Sequence, residues 1–305
     1  MSSSDSDIRS KDQPFYLQLS QRPITAAFRS LIQQYSKIPA NKVDSHLSAV
    51  RDDAWDHHPY PSIGLFVFTE LGLSGDDLPK DDPEITKTIA STYSEILQTL
   101  KNGGKFLDTG CMFAQDVRKL VYDGVPATSI YGTDLYGEYF DFGYTLFRDQ
   151  EIIPKDHFIA ADILDSNAAG LKHLEGKIDV LNATHLIHVF SIEDQKSLLK
   201  RFISVLKPRP GVLVTGRITG NLNAGYHELA NAKATVRGGK GEIWEHNVES
   251  FKELWKEVGD ETGTRWDCKA WFWRFGNHTG GDDKPKDWHR RKEHGIVTFI
   301  VGRLE

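Results

Sequence analysis

The chain has 305 residues, of which 39% are hydrophobic, 26% charged and 11% aromatic. That suffices for one sizeable core with a small appendage and excludes a disordered or fibrous protein. Lysine and arginine number 37 against 43 acidic residues, a net charge of −6, and no dense basic run offers a phosphate-neutralising stripe, so no nucleic-acid partner is expected. The two cysteines, Cys111 and Cys268, leave no room for a disulfide framework or a thiolate zinc site, and no metal is expected. The longest apolar runs, such as 296–301, fall far short of a bilayer span, and the opening MSSSDSDIRSKDQ lacks the apolar centre of a secretion signal. The expectation is a cytoplasmic protein with no membrane contact.

Residues 1–14 are rich in Ser, Asp and Lys without apolar period, which predicts a disordered start. Residues 15–100 read as a helical cap or lid. Ala27, Leu31 and Tyr35 share one helical face, and Ile89, Tyr93, Ile96, Leu97 and Leu100 share another. Between them RDDAWDHHPYPSIGLFVF mixes aromatics with two prolines and a glycine, which predicts an ordered loop or cap with no helix.

From 101 to 305 the chain reads as one domain. After Gly103-Gly104 short apolar runs alternate with amphipathic segments, the rhythm of parallel strands joined by helical crossovers. Strands are predicted at 105–108, 129–132, 158–161, 178–181 and 212–215. Val117, Leu120 and Val121 form a helical stripe closed by Gly124, and Phe140, Gly143, Tyr144 and Phe147 form another. Ser191 and Asp194 open a third helix as a capping box, and Asn247 caps a fourth that carries Phe251, Leu254, Trp255 and Val258. The segments 266–275 and 296–302 predict a closing antiparallel pair. The fold class is α/β, a doubly wound, mostly parallel sheet.

Ligands of such sheets lie beyond the carboxyl ends of the strands. There the chain places Asp108-Thr109-Gly110-Cys111, then Asp134, then Asp162-Ile163, then Asn182-Ala183-Thr184-His185. Gly110 lets the backbone approach a ligand, and Asp134 stands where a carboxylate commonly accepts from ribose hydroxyls. Each aspartate alone is equally a turn or capping residue; the three together suit an adenosine. A dinucleotide fingerprint wants glycines where Met112 and Ala114 stand, which argues against a tightly held pyrophosphate and for a nucleoside with an amino-acid tail.

Here the sequence resembles a known family. KFLDTGCMFAQDVRKLVYDG, IYGTDLYGEYFDFGYTLFRD and FIAADIL resemble the three cofactor motifs of class I S-adenosylmethionine-dependent methyltransferases, of the fungal meroterpenoid carboxyl-methylating type. The resemblance extends to RDDAWDHHPYPSIGLFVF and HNVESFKELWKEVGDETGTRW and covers the chain from about residue 25 to 305. It implies a seven-stranded Rossmann-like sheet with an antiparallel seventh strand at its edge, and S-adenosylmethionine as cofactor. On that basis Asp108 acts near the methionine amino group, Gly110 underlies the cofactor, and Asp134 with Leu135 holds the ribose. Asp162 and Ile163 border the adenine, and the Asn182 backbone faces the methionine portion.

Methyl transfer from a sulfonium is an in-line displacement that mainly needs alignment and exclusion of water. A hydroxyl acceptor also needs a proton acceptor, for which His188 and His185 are candidates. A carboxylate acceptor needs none; Arg51, Arg217 and His246 are candidates to orient the anion, against the plainer reading of each as a salt-bridged or packed group. Trp55, Tyr60, Phe66 and Phe68 either wall the cofactor and acceptor or simply pack the cap. The segment 217–246 reads as a mobile active-site loop, a structured insertion or a homodimer contact, and 276–295, basic near 290–292, as a solvated loop. The expected activity is O-methylation of a small hydrophobic polyketide- or terpenoid-derived molecule, carboxylate rather than hydroxyl. Alternatives are a cofactor-assisted rearrangement without methyl transfer, motivated by Met112, and a nicotinamide-dependent dehydrogenase, weakened by the missing glycines.

Overall fold

Successive residues of the central strands serve two different cores, because side chains alternate faces along a strand. The computed structural model describes residues 9–78, 82–228, 242–274 and 293–305. Its strands are β1 (Phe106–Thr109), β2 (Ile130–Asp134), β3 (Phe158–Ala160), β4 (Val180–Asn182), β5 (Leu213–Asn221), β6 (Gly225–Glu228), β7 (Glu242–Glu245), β8 (Trp266–Arg274) and β9 (His294–Arg303). Seven of them form one sheet in the order β3-β2-β1-β4-β5-β9-β8, while β6 and β7 pair as a separate antiparallel hairpin.

Strands β1 to β5 are parallel, and β9 runs antiparallel to both β5 and β8. The last strand therefore lies inside the sheet, and β8 forms the edge, a correction to the expected placement. Burial explains it: Val297, Phe299 and Val301 of β9 are at most 1% exposed and need cover, whereas β8 alternates with exposed residues and tolerates an edge.

The helices are α1 (Ala26–Gln34), α2 (Val43–His57), α3 (Pro61–Gly64), α4 (Pro83–Lys101), α5 (Gln115–Tyr122), α6 (Glu138–Phe147), α7 (Ala169–Lys172), α8 (Ile192–Val205) and α9 (Val248–Thr262). Phe106, Ile130, Phe158 and Val180 pack one face of the sheet against α4, α5 and α6. Leu107, Ile159, Leu181 and Val214 pack the other against α7, α8 and α9. Local chemistry sets the helix starts. Asp82 accepts from the N–H groups of Glu84 and Ile85 ahead of Pro83, and Asn247 and Ser250 cap α9 reciprocally. Ser191 accepts from Asp194 N–H, which is half of the expected box.

A third core forms under the N-terminal helices, where Phe28, Leu47, Trp55, Phe66 and Phe68 meet Phe113 and Phe147. The stretch from Arg51 to His57 is helical, contrary to expectation, because it completes the buried stripe Val43, Leu47, Val50, Arg51 and Ala54 of α2 before Pro59 stops the helix. Arg118 and Asp149, both wholly buried, pair at 2.9 Å, and the Tyr35 hydroxyl donates to the same carboxylate, tying the cap to α5. Among the described residues no helix is long and apolar enough to cross a membrane.

In the segment 217–246, β5 runs on to Asn221 and the hairpin β6–β7 follows, so its described part is a structured insertion; residues 229–241 lie outside the described residues. The same holds for most of the expected tail loop, 275–292.

Candidate active site

The loop from β1 to α5 is built by alternating left-handed residues: Gly110 (φ 65°), Met112 (φ 49°) and Ala114 (φ 53°). A Cβ on Gly110 would come within 2.7 Å of Leu186 Cδ1, so only glycine suits this turn. The N–H groups of Gly110 and Cys111 both donate to Thr133 O, at 2.8 and 3.1 Å, fastening the loop across the end of β2. Met112 N–H then donates to Asp134 Oδ2 at 2.9 Å, and Tyr136 N–H to Asp134 Oδ1 at 3.2 Å. A carboxylate offers about four acceptor positions, and with the Leu135 N–H also drawing on it at least one stays open. Burial raises the Asp134 carboxyl above its ordinary range against the pull of these donors.

The surroundings of Asp134 suit a flat aromatic ligand. Leu135 and Tyr136 are 56% and 41% exposed beside it. His58 from the cap lies 4.2 Å from the Tyr136 ring, and burial together with the Asp134 charge pushes the Tyr60 hydroxyl up to about 12. Tyr60 is thus a cap residue at the end of β2. Asp162 follows β3 and accepts from Leu164 N–H at 3.0 Å, and the adjacent Ile163 is buried.

One strand further along, Asn182 Nδ2 donates to Asp108 Oδ1 at 2.8 Å, and Thr184 Oγ1 donates to Asn182 Oδ1 at 3.0 Å. The Asn182 side chain thus meets Asp108, and its carbonyl accepts from the Thr109 hydroxyl. Burial, then the Asp116 charge, raise Asp108 well above the usual carboxylate range, opposed by the Asn182 amide. A cation placed here would draw the proton off.

Segment 70–77 crosses the ends of β4 and β5 and carries a second polar cluster. Asp77 holds the Arg217 guanidinium through two bonds of 2.7 and 2.9 Å, and Gly72 O accepts a third. Glu70 pairs with Arg22 and lies 3.4 Å from His185 Nε2; burial would raise its carboxyl, but Arg22, His185 and Arg217 outweigh that and hold it down, at about 2. The Asp116 carboxyl accepts from Leu73 N–H at 3.1 Å and is raised by burial to about 7. His188 Nδ1 accepts from Thr219 N–H at 3.3 Å, which leaves the ring proton on Nε2; burial, then His185, push its pKa down to about 3.

Three candidates lie elsewhere. Arg51 is buried in the cap, bonded to Leu17 O and Asp52 and stacked on Tyr16 and Phe66, because its helical position faces that core. Trp55 is wholly buried against Phe15 and Tyr16, with its N–H on Arg9 O. His246 has both ring nitrogens committed, to Gln195 and Ser250 at 2.8 and 2.9 Å, and burial pushes it down to about 4. Sequence reasoning missed Glu70, Asp77 and Asp116. The first two lie in a segment without period, and Asp116 reads as an ordinary acidic residue of a first helical turn.

The family model described as the meroterpenoid methyltransferase N-terminal domain matches residues 15–69, the cap. The chain is 38% identical over 291 residues to the O-methyltransferase phiE of a fungal species, covering 92% of this chain and 89% of that one. The chain belongs to the fungal meroterpenoid methyltransferases. The O-methyltransferase atr3 of Stereocaulon alpinum is 38% identical over 87% of this chain and 71% of its own length. The asnovolin E/chermesin D methyltransferase of Aspergillus novofumigatus is 34% identical over 80% of each. Among solved structures, a SAM-dependent methyltransferase from Archaeoglobus fulgidus aligns with a TM-score of 0.43 and 13% identity, over 78% of this chain and 98% of that one. In this methyltransferase the cap matched by the family model is the unit that brings Tyr60 near Asp134 and His58 onto the Tyr136 ring.

Proposed function

We propose that this methyltransferase moves a methyl group from S-adenosylmethionine to a carboxylate oxygen of a small hydrophobic, polyketide- or terpenoid-derived molecule. The observation that carries the donor assignment is Asp134, a half-buried carboxylate with an acceptor position open beside exposed Leu135 and Tyr136. These residues fit a ribose with an adjoining base, and Asp108 fits the methionine ammonium. Bound there, the cofactor would supply an electrophilic methyl on sulfur.

The state of His188 favours a carboxylate over a hydroxyl acceptor. His188 is neutral with Nδ1 occupied, so it offers an N–H donor and no free basic nitrogen, whereas His185, whose Nε2 faces the ionised Glu70, keeps Nδ1 as its basic nitrogen. His188 can thus orient an anion and is poorly placed to take a proton, and an anionic oxygen needs no base. The rearrangement alternative loses its motive, since the loop at Met112 takes up the left-handed conformations that a glycine-rich version would adopt.

Two measurements test the proposal. Asp134→Ala should weaken S-adenosylhomocysteine binding at least about 10-fold in calorimetry, given about 1.5–3 kcal/mol for a hydrogen bond to a charged acceptor. Incubation with the cofactor and candidate hydrophobic acids should yield a base-labile methyl ester; a product methylated on nitrogen or carbon refutes the acceptor assignment, and unchanged affinity in the variant refutes the donor site.

A further inference from the structure

A polar cluster outside the site already described joins the hairpin to the sheet. Glu245 at the end of β7 is 0% exposed, His294 at the start of β9 is 3% exposed, and His227 of β6 is half-buried. One ligand-type atom from each of the three falls within 4.8 Å of the others. We propose that His227, Glu245 and His294 form a divalent transition-metal site of zinc type that clips the β6–β7 hairpin to the start of β9.

Three features argue for a cation here over a simple buried ion pair. His294 Nδ1 and Glu245 Oε1 lie 3.2 Å apart, yet Oε1 has no hydrogen-bond partner among the described residues. That spacing is what a tetrahedral zinc imposes on two of its donors, about 3.3 Å for bonds of about 2.0–2.1 Å. His294 Nε2 is likewise without a partner, so whichever nitrogen carries the proton, the ring keeps a lone pair that no described donor uses.

The outer contacts are those that ligands need. Asn221 Nδ2 donates to the other Glu245 oxygen at 3.0 Å and aims the carboxylate. His227 Nε2 lies 2.8 Å from Asn223 O; donating to it fixes the tautomer that leaves Nδ1 as a lone pair. Two histidines and a glutamate are a donor set suited to zinc, with a fourth position for water. Glu245 and His294 are already at ligand spacing, and His227 from β6 completes the set. The role is structural: the ion pins the hairpin beyond the carboxyl end of β5.

The full chain, stripped with chelator and dialysed, is titrated with cobalt(II) and with zinc. One cobalt per chain is expected, with the visible absorption of a low-coordinate nitrogen and oxygen site, displaced by zinc, and zinc should raise the thermal midpoint. His227→Ala and Glu245→Gln should each weaken zinc binding by about 100-fold or more and abolish the thermal shift. Because His227 is only half-buried, its variant keeps the test intact if Glu245→Gln fails to fold. Failure of the wild-type chain to take up stoichiometric zinc at micromolar concentration overturns the proposal, as does undiminished uptake by His227→Ala.

Discussion

Replacing Asp116 by asparagine should stabilise the protein at alkaline pH and do so progressively less as the pH falls. The side chain is 2% exposed at the start of α5, and its pKa is raised by burial to about 7 from an ordinary 3.8. Folded, the carboxyl keeps its proton up to about pH 7; unfolded, it releases it near 3.8. The folded state binds more protons across that interval, so this group's contribution to stability is fully present below about pH 4 and lost as pH rises through 7.

From pH 5 to pH 8 the loss spans about two pH units at 1.36 kcal/mol each, or about 3 kcal/mol. Asparagine keeps an acceptor for Leu73 N–H and turns its amide toward the acidic side of the cluster, where Asp77 and Glu70 raise the aspartate's pKa. It never ionises. Thermal midpoints of wild type and Asp116→Asn measured from pH 5 to pH 8 should therefore diverge by about 6 °C in the variant's favour, at about 2 °C per kcal/mol. Titrating groups that do not feel the Asp116 charge cancel in the difference; Asp108 does feel it. A gap that stays constant over this range refutes the assignment of a proton to Asp116, and one that closes with rising pH means that the ionised carboxylate is useful to Arg217.

Asp149→Ala leaves the Arg118 guanidinium buried without its partner and should cost about 3–5 kcal/mol, read from the urea midpoint. Ala114 sits left-handed at the N-cap of α5 without a side-chain cap, so Ala114→Gly should stabilise by about 1 kcal/mol in the same assay.

The doubly wound fold was legible because its signals are local. Alternating apolar runs, the glycine after the first strand and the caps at Asn247 and Ser191 each act within a few residues, and the structure places strands within about two residues of most predicted starts. The exceptions have long-range causes. Strand β5 runs on to Asn221 because β9 pairs with it over its whole length, a partner residing some eighty positions away. The helix through Trp55 was hidden by the prolines behind it, although the buried spacing from Val43 to Ala54 was present in the sequence.

At the site the legible residues are those fixed by strand register. Asp108 is paired in register with Asn182, and Asp134 with Ala160, so naming the strands also names the residues at their ends. The candidates drawn from side-chain type alone fared differently. An arginine or histidine carries no mark of direction, and Arg51 and His246 were turned into other cores by the phase of a helix and the pairing of a strand. Glu70 and Asp77 could not be found at all, since they act through Arg22, His185 and Arg217, far away in the chain.

The loop after β1 argues that backbone conformation, not residue identity, defines this site. Met112 and Ala114 occupy left-handed conformations that cost non-glycine residues roughly 1–2 kcal/mol each. They are held there by bonds that only this conformation makes: Met112 N–H on Asp134, and Ala114 N–H on Cys111 O at 2.6 Å. The first of these also orients the Asp134 carboxylate, so the strain and the aim of the acid share one hydrogen bond. A chain free to choose glycine at 112 would relax the turn but would also widen the range of directions open to Asp134. The Met112 side chain, packed beside the aromatic cluster of the cap, therefore braces the turn that aims Asp134 instead of weakening it.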